Sequence, residues 1–230
     1  MSKLRIVALS DTHGTHEQVL VPEGDILIHA GDFMVGGLDF VEIINFNRWL
    51  GRLPHPRKIV IAGNHDIYFE AGSSLARSML TNATYLENSR CKALGLEIWG
   101  SPYTPLFNDW AFMRERGEPL RRIWSMIPDR VDILVTHGPP WGVLDNFEDA
   151  RIGDRDLLEE VSIRNIPHHI FGHCHPGHGQ VNLDGRWFHN VAVLDPDFKP
   201  TLPPTVFDIE VPEDRCGFQR LSDGSILEDL

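Results

Sequence analysis

The sequence predicts an α/β fold, and two observations carry that reading. Five short apolar runs alternate with stretches of helical periodicity, and every run stops at a cluster containing Asp, Asn or His. Short runs rich in Ile, Val and Leu are buried strands. Strand–helix–strand alternation implies crossover connections. In open α/β sheets ligands bind beyond the carboxyl ends of the strands, which is where the polar clusters fall.

Residues 4–9 form the first strand and end at Ser10-Asp11. Residues 25–30 end at Gly31-Asp32, residues 58–62 at Gly63-Asn64-His65-Asp66, residues 132–136 at His137-Gly138, and residues 168–171 at Gly172-His173. Between them, residues 38–50 place Phe40, Val41, Ile43, Ile44, Phe46 and Trp49 near one helical face. Residues 73–80 and 154–163 are shorter helical stretches. Residues 93–100 read as a further strand, and a loop rich in Pro, aromatic and polar residues follows over 101–110. More strands are expected over 181–208, with a turn at Asp184-Gly185 and a Pro-rich loop at 196–204. The polar, Gly-containing stretch 212–230 reads as a loosely ordered tail of a single domain spanning 1–230.

A length of 230 residues suits one well-developed core, and no linker divides it. No apolar run reaches the roughly 18 residues that span a bilayer. The first residues are too short in their apolar part for a secretory signal and lack a cleavage site. Cys91, Cys174 and Cys216 show no paired spacing, which argues against a disulfide framework. A cytoplasmic protein is therefore expected. The formal charge of −12, with no basic run, argues against a nucleic-acid partner. A small phosphate ester can still bind, because metal ions dominate the local charge of such a site.

Asp11-Thr12-His13 sets a carboxylate and an imidazole at i and i+2, which extended backbone points the same way. Alone, the triplet is a weak signal, and a capping Asp beside a surface His is the commoner reading. Gly31-Asp32 adds a carboxylate with two oxygens, able to bridge two metals, although Gly-Asp is also a frequent turn. In Gly63-Asn64-His65-Asp66 the Asn64 carbonyl is a candidate neutral ligand and His65 a candidate donor beside the metals, although the tetrapeptide also reads as a polar turn after a strand. Asp66 is a candidate to orient His65. His137 and the pair His173-Cys174-His175 complete the set. His178, in the loop after that pair, and Asn108, in the loop 101–110, are candidates to contact substrate together with Asn64 and His65. The other histidines read as core or surface residues.

The order of these motifs, each at a strand end, decides between the readings. The donors are imidazole and oxygen without thiolate, which suits Mn²⁺ or Fe, with Zn²⁺, Co²⁺ and Ni²⁺ as further candidates. A shared Asp32 implies two metals about 3.5–4 Å apart.

Taken together, the motifs from Asp11 to His175 resemble those of the calcineurin-like metallophosphoesterase superfamily. That resemblance implies a four-layer α/β/β/α sandwich of two mixed sheets flanked by helices, with a dimetal site at the strand ends. It implies that Asp11, His13, Asp32 and His175 hold one metal, that Asp32, Asn64, His137 and His173 hold the other, and that His65 acts on the phosphate and leaving group. Purple acid phosphatases have a Tyr where this chain has Val35. Ser/Thr protein phosphatases have an Arg at the position of Gly36 and a Glu at that of Asp66. The stretches 100–110, 136–140 and 203–208 are similar instead to small metallophosphoesterase-domain proteins associated with cyclic-nucleotide phosphodiester hydrolysis.

The expected activity is hydrolysis of nucleotide-type or cyclic-nucleotide phosphodiesters. A water bridging the two metals, its pKa lowered from 15.7 towards roughly 7, attacks phosphorus in line. Two other readings stay open at this point: a phosphomonoesterase such as a nucleotidase, and a weakly catalytic nucleotide-binding module.

Overall fold

The structure is a computed structural model that describes residues 2–212, 215, 218–220 and 226–228. Among these residues eleven strands build two large sheets: β1 (Ser2–Leu9), β2 (Ile26–Ala30), β3 (Arg57–Ile61), β4 (Thr84–Tyr85), β5 (Ser89–Ala93), β6 (Leu96–Ser101), β7 (Ile133–Thr136), β8 (His168–Phe171), β9 (Gly179–Leu183), β10 (Arg186–Asn190) and β11 (Thr205–Val211). The flanking helices are α1 (Phe40–Arg52), α2 (Ile67–Ala71), α3 (Ser73–Met79), α4 (Glu118–Trp124) and α5 (Arg155–Ile163).

The first sheet has the order β11-β1-β2-β3-β4, antiparallel only at the β11–β1 edge. The second has the order β9-β10-β8-β7-β6-β5, with antiparallel hairpins at both edges and parallel strands between. Both sheets are therefore mixed, as the resemblance implied.

The two-residue side-chain period of the strands divides the interior into layers. Ile6, Ile28 and Ile59 of the first sheet meet Ile98, Ile133 and Ile170 of the second in a central core. The alternate residues Val7, Leu27 and Val60 face away, onto Ile43 and Phe46 of α1 and Phe69 of α2. On the far side Trp99, Leu134 and Phe171 pack against Leu120 and Trp124 of α4 and Leu157 and Val161 of α5. Strands buried on both faces are apolar at nearly every position, which is why they stand out in the sequence as continuous runs.

Two helices begin where side-chain caps fix them. Asp39 accepts the amide of Val41 at the start of α1, and Asp154 accepts that of Asp156 at the start of α5. Asp154 also accepts the indole N–H of Trp124 at 2.7 Å, which ties α5 to α4.

Some local expectations need correction. The stretch 93–100 is not one strand, because Leu94 and Gly95 both adopt positive φ (49° and 83°) and turn the chain between β5 and β6. Such turns favour Asn-Gly or Gly-Gly, so a leucine in the first position hid this one. Val41 lies on the far side of α1 from Ile43, Phe46 and Leu50 and is exposed; Phe40, in the first turn, is exposed as well. The helices α2 and α4 were not expected; each is too short to show a clear period. The expected tail 212–230 lies mostly outside the described residues, although 218–220 and 226–228 pair antiparallel. Cys216 is also outside them, whereas Cys91 and Cys174 are free thiols. Among the described residues no helix is long and apolar enough to cross a membrane.

Candidate metal centre

Five strand ends meet on one edge of the sandwich. Asp11 and His13 follow β1, Asp32 follows β2, Asn64 and His65 follow β3, His137 follows β7, and His173 and His175 follow β8. The connecting backbone is tightly curled. Asp11 (φ 55°), His13 (φ 38°), Asp32 (φ 55°) and His173 (φ 66°) all occupy the left-handed region, which non-glycine residues seldom adopt. Cross-links between the loops hold them there. The amide of Asp11 donates to the Gly31 carbonyl at 2.9 Å, that of His13 to the Asp32 carbonyl at 3.0 Å, and that of Gly172 to the His137 carbonyl at 2.9 Å. Backbone held in such conformations concentrates at functional sites.

The side chains form two adjoining groups. In one, Asp11, His13 and His175 bring donor atoms within 4.8 Å of each other; in the other, Asp32, His137 and His173 do the same. Asp32 joins the two groups, since its Oδ2 lies 3.2 Å from His137 Nε2 and 3.8 Å from His13 Nε2. Asn64 Oδ1 stands 2.9 Å from His137 Nε2, at the second group. His175 Nε2 is 3.6 Å from Asp11 Oδ1.

Neighbouring groups fix the rings. His137 Nδ1 donates to the Ala30 carbonyl at 2.9 Å, so Nε2 is the nitrogen turned to Asp32 and Asn64. Metal-binding imidazoles are commonly oriented in this way. His175 Nδ1 faces the Asp195 carbonyl at 3.3 Å.

The electrostatics suit a cation. Burial works to raise the pKa of Asp32, yet the imidazoles of His137 and His13 outweigh it and hold the carboxyl well below its usual range. Asp11 is likewise depressed against its burial, by His175 and His137. Burial disfavours charge on His137, but Asp32 beside it drives its pKa up to about 9. Burial brings His173 down to about 3, leaving it a neutral donor. Two carboxylates that draw positive charge onto buried neighbours will draw a metal ion for the same reason.

Imidazole and oxygen donors converging in this way fit first-row transition metals. Two glycines show how closely the surroundings are fitted to them. A Cβ on Gly63 would fall on Asp32 Oδ1 and within 2.6 Å of His137 Cε1, and one on Gly172 would fall on Ser10 Oγ and Asp11 Oδ2. Gly63→Ala is therefore expected to destabilise the fold by about 1–3 kcal/mol and to lower metal content, read by thermal melting and elemental analysis. An unchanged melting temperature with full metal content would show that Asp32 and His137 have room to give.

The substrate-side expectations fare less evenly. His65 sits beside the first group, its Nδ1 donating to the Val35 carbonyl at 2.8 Å and its ring 4.1 Å from that of Trp110. Asp66 does not orient it. Both carboxyl oxygens of Asp66 instead accept backbone amides, from Asp32 at 2.9 Å, Met34 at 2.9 Å and Gly63 at 2.7 Å. Asp66 thus organises the loops that carry the ligand candidates, and burial together with the charge of Asp32 raises its pKa well above the usual carboxylate range.

A cavity of about 530 Å³ opens over His13, Asp32, Asn64, His65, His173 and His175. Asn108 and His178 are not part of its wall. Asn108 is exposed one residue beyond Phe107, and His178 turns Nδ1 to the Ala192 carbonyl at 2.8 Å. Tyr103 packs between the two outer cores. The wall comes instead from Leu106 and Phe107, from Arg116, from Phe147, Glu148, Arg151 and Ile152, and from Phe198. Sequence reasoning missed Arg116, Phe147, Arg151 and Phe198; only the proline-rich context of Phe198 marked a loop worth noting. Among the remaining buried histidines, His29, His169 and His189 are packing residues, each held at about 3 by burial.

Comparison with known proteins places this arrangement. The calcineurin-like phosphoesterase family model matches residues 4–177. Metallophosphoesterase domain-containing protein 1 of Homo sapiens is 40% identical over 234 residues, covering 90% of this chain and 72% of that protein. A UPF0046 protein of Caenorhabditis elegans is 37% identical over 234 residues, covering 92% of this chain and 83% of its own length. Among solved structures, that of TT1561 from Thermus thermophilus aligns with a TM-score of 0.56 at 13% identity, over 82% of this chain and 89% of that one; at such identity the likeness speaks for the fold alone. A family model that spans the strand ends bearing every one of these donors, with relatives aligned along nine-tenths of the sequence, means that the chain belongs to the calcineurin-like phosphoesterase family.

Proposed function

We propose that this protein is a dimetal phosphodiesterase that hydrolyses nucleotide-type phosphodiesters, cyclic nucleotides among them. The observation that carries the reading is Asp32, whose carboxylate stands between two separate sets of donors. We assign Asp11, His13, Asp32 and His175 to one metal and Asp32, Asn64, His137 and His173 to the other, with Mn²⁺ or Fe as the occupants. When bound, two cations at this site supply an activated water and neutralise phosphate charge.

The chain's own groups do the rest. Asn64 and His65 face the cavity from one loop and are placed to hold a phosphate oxygen. His65 keeps Nδ1–H on the Val35 carbonyl, which leaves Nε2 for the substrate. Nε2 is the nitrogen placed to give a proton to the departing oxygen. Contact with Trp110 limits the ring's rotation. We place the protein in the cytoplasm, a setting that suits the free thiols Cys91 and Cys174.

The test is to strip the protein with a chelator, reload it with Mn²⁺ or Fe, and assay a bis-aryl phosphodiester, cyclic nucleotides and nucleoside monophosphates. Diester hydrolysis that disappears on stripping and returns on reloading is expected. Turnover of monophosphates alone would replace this reading with a phosphomonoesterase, and no turnover with any metal would overturn it.

A further inference from the structure

Exposed aromatic side chains gather over the metal centre. Among the described residues four phenylalanines are exposed, and three of them, Phe107 (56%), Phe147 (44%) and Phe198 (59%), line the same cavity above the ligand candidates. They reach it from three separate loops. Phe107 stands 5.6 Å from the ring of His173, on one side of the floor. Phe198 stands 4.9 Å from His175 and 5.6 Å from His13, on the other. Phe147 enters from the short ribbon of Asn146–Phe147 paired with Ala150–Arg151. Exposed apolar surface concentrated at a cavity marks a binding site.

The placement of Phe198 is built, not incidental. Its φ of 59° is unfavourable for a bulky residue. A closed turn enforces it: Phe198 N–H donates to the Asp195 carbonyl at 2.9 Å, and Asp195 N–H donates to the Lys199 carbonyl at 2.9 Å. The Asp195 carboxylate adds three bonds, accepting from the amides of Asp197 at 2.9 Å and Lys199 at 3.0 Å and from the Thr201 hydroxyl at 2.9 Å. The carbonyl of the same Asp195 faces His175 Nδ1. One residue thus orients a ligand candidate and fixes an aromatic ring against it.

The cationic part of the wall is already engaged. Arg116 donates to the carbonyls of Gly153 at 2.7 Å and Ile152 at 2.9 Å, and Arg151 donates to Asp145 at 2.7 Å. The side of the cavity away from the floor also presents the three exposed phenyl rings, whose faces suit a flat group.

We propose that Phe107, Phe147 and Phe198 form an aromatic clamp that selects phosphate esters carrying a flat aromatic group, an aryl ring or a nucleobase, beside the phosphate. This rests on the phosphoesterase reading above, with the phosphate at the metal floor. Stacking of a ring on an aromatic side chain is worth about fivefold to about a hundredfold in affinity.

The test compares phenylphosphonate with methylphosphonate, two non-hydrolysable anions with the same head group, binding to the Mn²⁺-loaded full chain by calorimetry. The wild type is expected to hold the phenyl compound at least about tenfold more tightly. Phe107→Leu and Phe198→Leu are each expected to shrink that preference at least about fivefold. Phe147→Leu, at a residue with no ring contact to a histidine among those described, serves as the variant whose ring packs on no ligand candidate's ring. Metal content and circular dichroism are measured on every variant. Equal binding of the two phosphonates by the wild type, or a preference unchanged in all three folded, metal-loaded variants, overturns the clamp. Hydrolysis of a bis-aryl diester is followed in parallel. If it proceeds while the phosphonates bind equally, the clamp fails and the phosphoesterase stands; if there is neither hydrolysis nor phosphonate binding, both fall.

Discussion

Asp32→Ala is expected to lose both metals and to drop kcat/KM by about 10³-fold or more, because as the proposed shared ligand it would stabilise each cation and so the charge that develops on phosphate. The carboxylate is 2% exposed, with Oδ2 directed at His137 and His13 and Oδ1 accepting the His65 amide at 2.7 Å. Removing it takes away the negative charge between the two donor sets and the acceptor that holds the loop of His65. Elemental analysis of the purified variant, with circular dichroism to establish that it is folded, is the measurement. Two metals retained in a folded Asp32→Ala protein would end the bridging assignment. Asp32→Asn separates the two contributions, since the amide oxygen can still accept from His65 while the charge is gone. Metal loss in Asp32→Asn would locate the effect in the charge.

His65→Ala is expected to keep both metals and to lose about 10²–10⁴-fold in turnover, the usual contribution of a positioned acid or base. The contrast matters because His65 brings a donor atom within 4.8 Å of those of His13 and Asp32, so proximity alone leaves it eligible as a ligand. Its Nδ1 bond to Val35 and its contact with Trp110 fix the ring, as the bond to Ala30 fixes His137, and such a fixed ring suits either role. Metal content measured beside kcat decides. A His65→Ala protein that comes out short of metal moves His65 into the coordination sphere and removes the proton-donor role.

How far the site was legible follows from how each residue is placed. Asp11, Asp32, Asn64, His137 and His173 each lie in the polar cluster that ends a buried strand, and an apolar run ending in a polar cluster is a local signal. Asp66 sits in the same kind of cluster, but its partners, the amides of Asp32, Met34 and Gly63, appear only once two loops are folded together. A carboxylate next to a histidine in sequence was therefore assigned to orient it, whereas the side chain points back into the loop backbone. Asn108 and His178 were chosen as polar residues in loops near strand ends. Near a strand end is not the same as facing the cavity: neither residue lines it, and His178 turns to the Ala192 carbonyl.

The sequence alone determined the α/β class, the strand ends that carry chemistry, and the kind of donor at each, because burial on both faces of a strand and the change to polar residues at its end are written in neighbouring positions. Only the tertiary structure decided how closely those donors approach one another, that Val35 and not Asp66 holds His65, and that Phe107, Phe147 and Phe198 line the cavity together. The reason is separation along the chain. Phe107 and Phe198 belong to different loops, and Phe198 meets His13 and His175 through a turn whose left-handed backbone no neighbouring residue announces. Contacts between distant segments are set by how two sheets pack and how their loops curl, and a one-dimensional pattern carries no record of either.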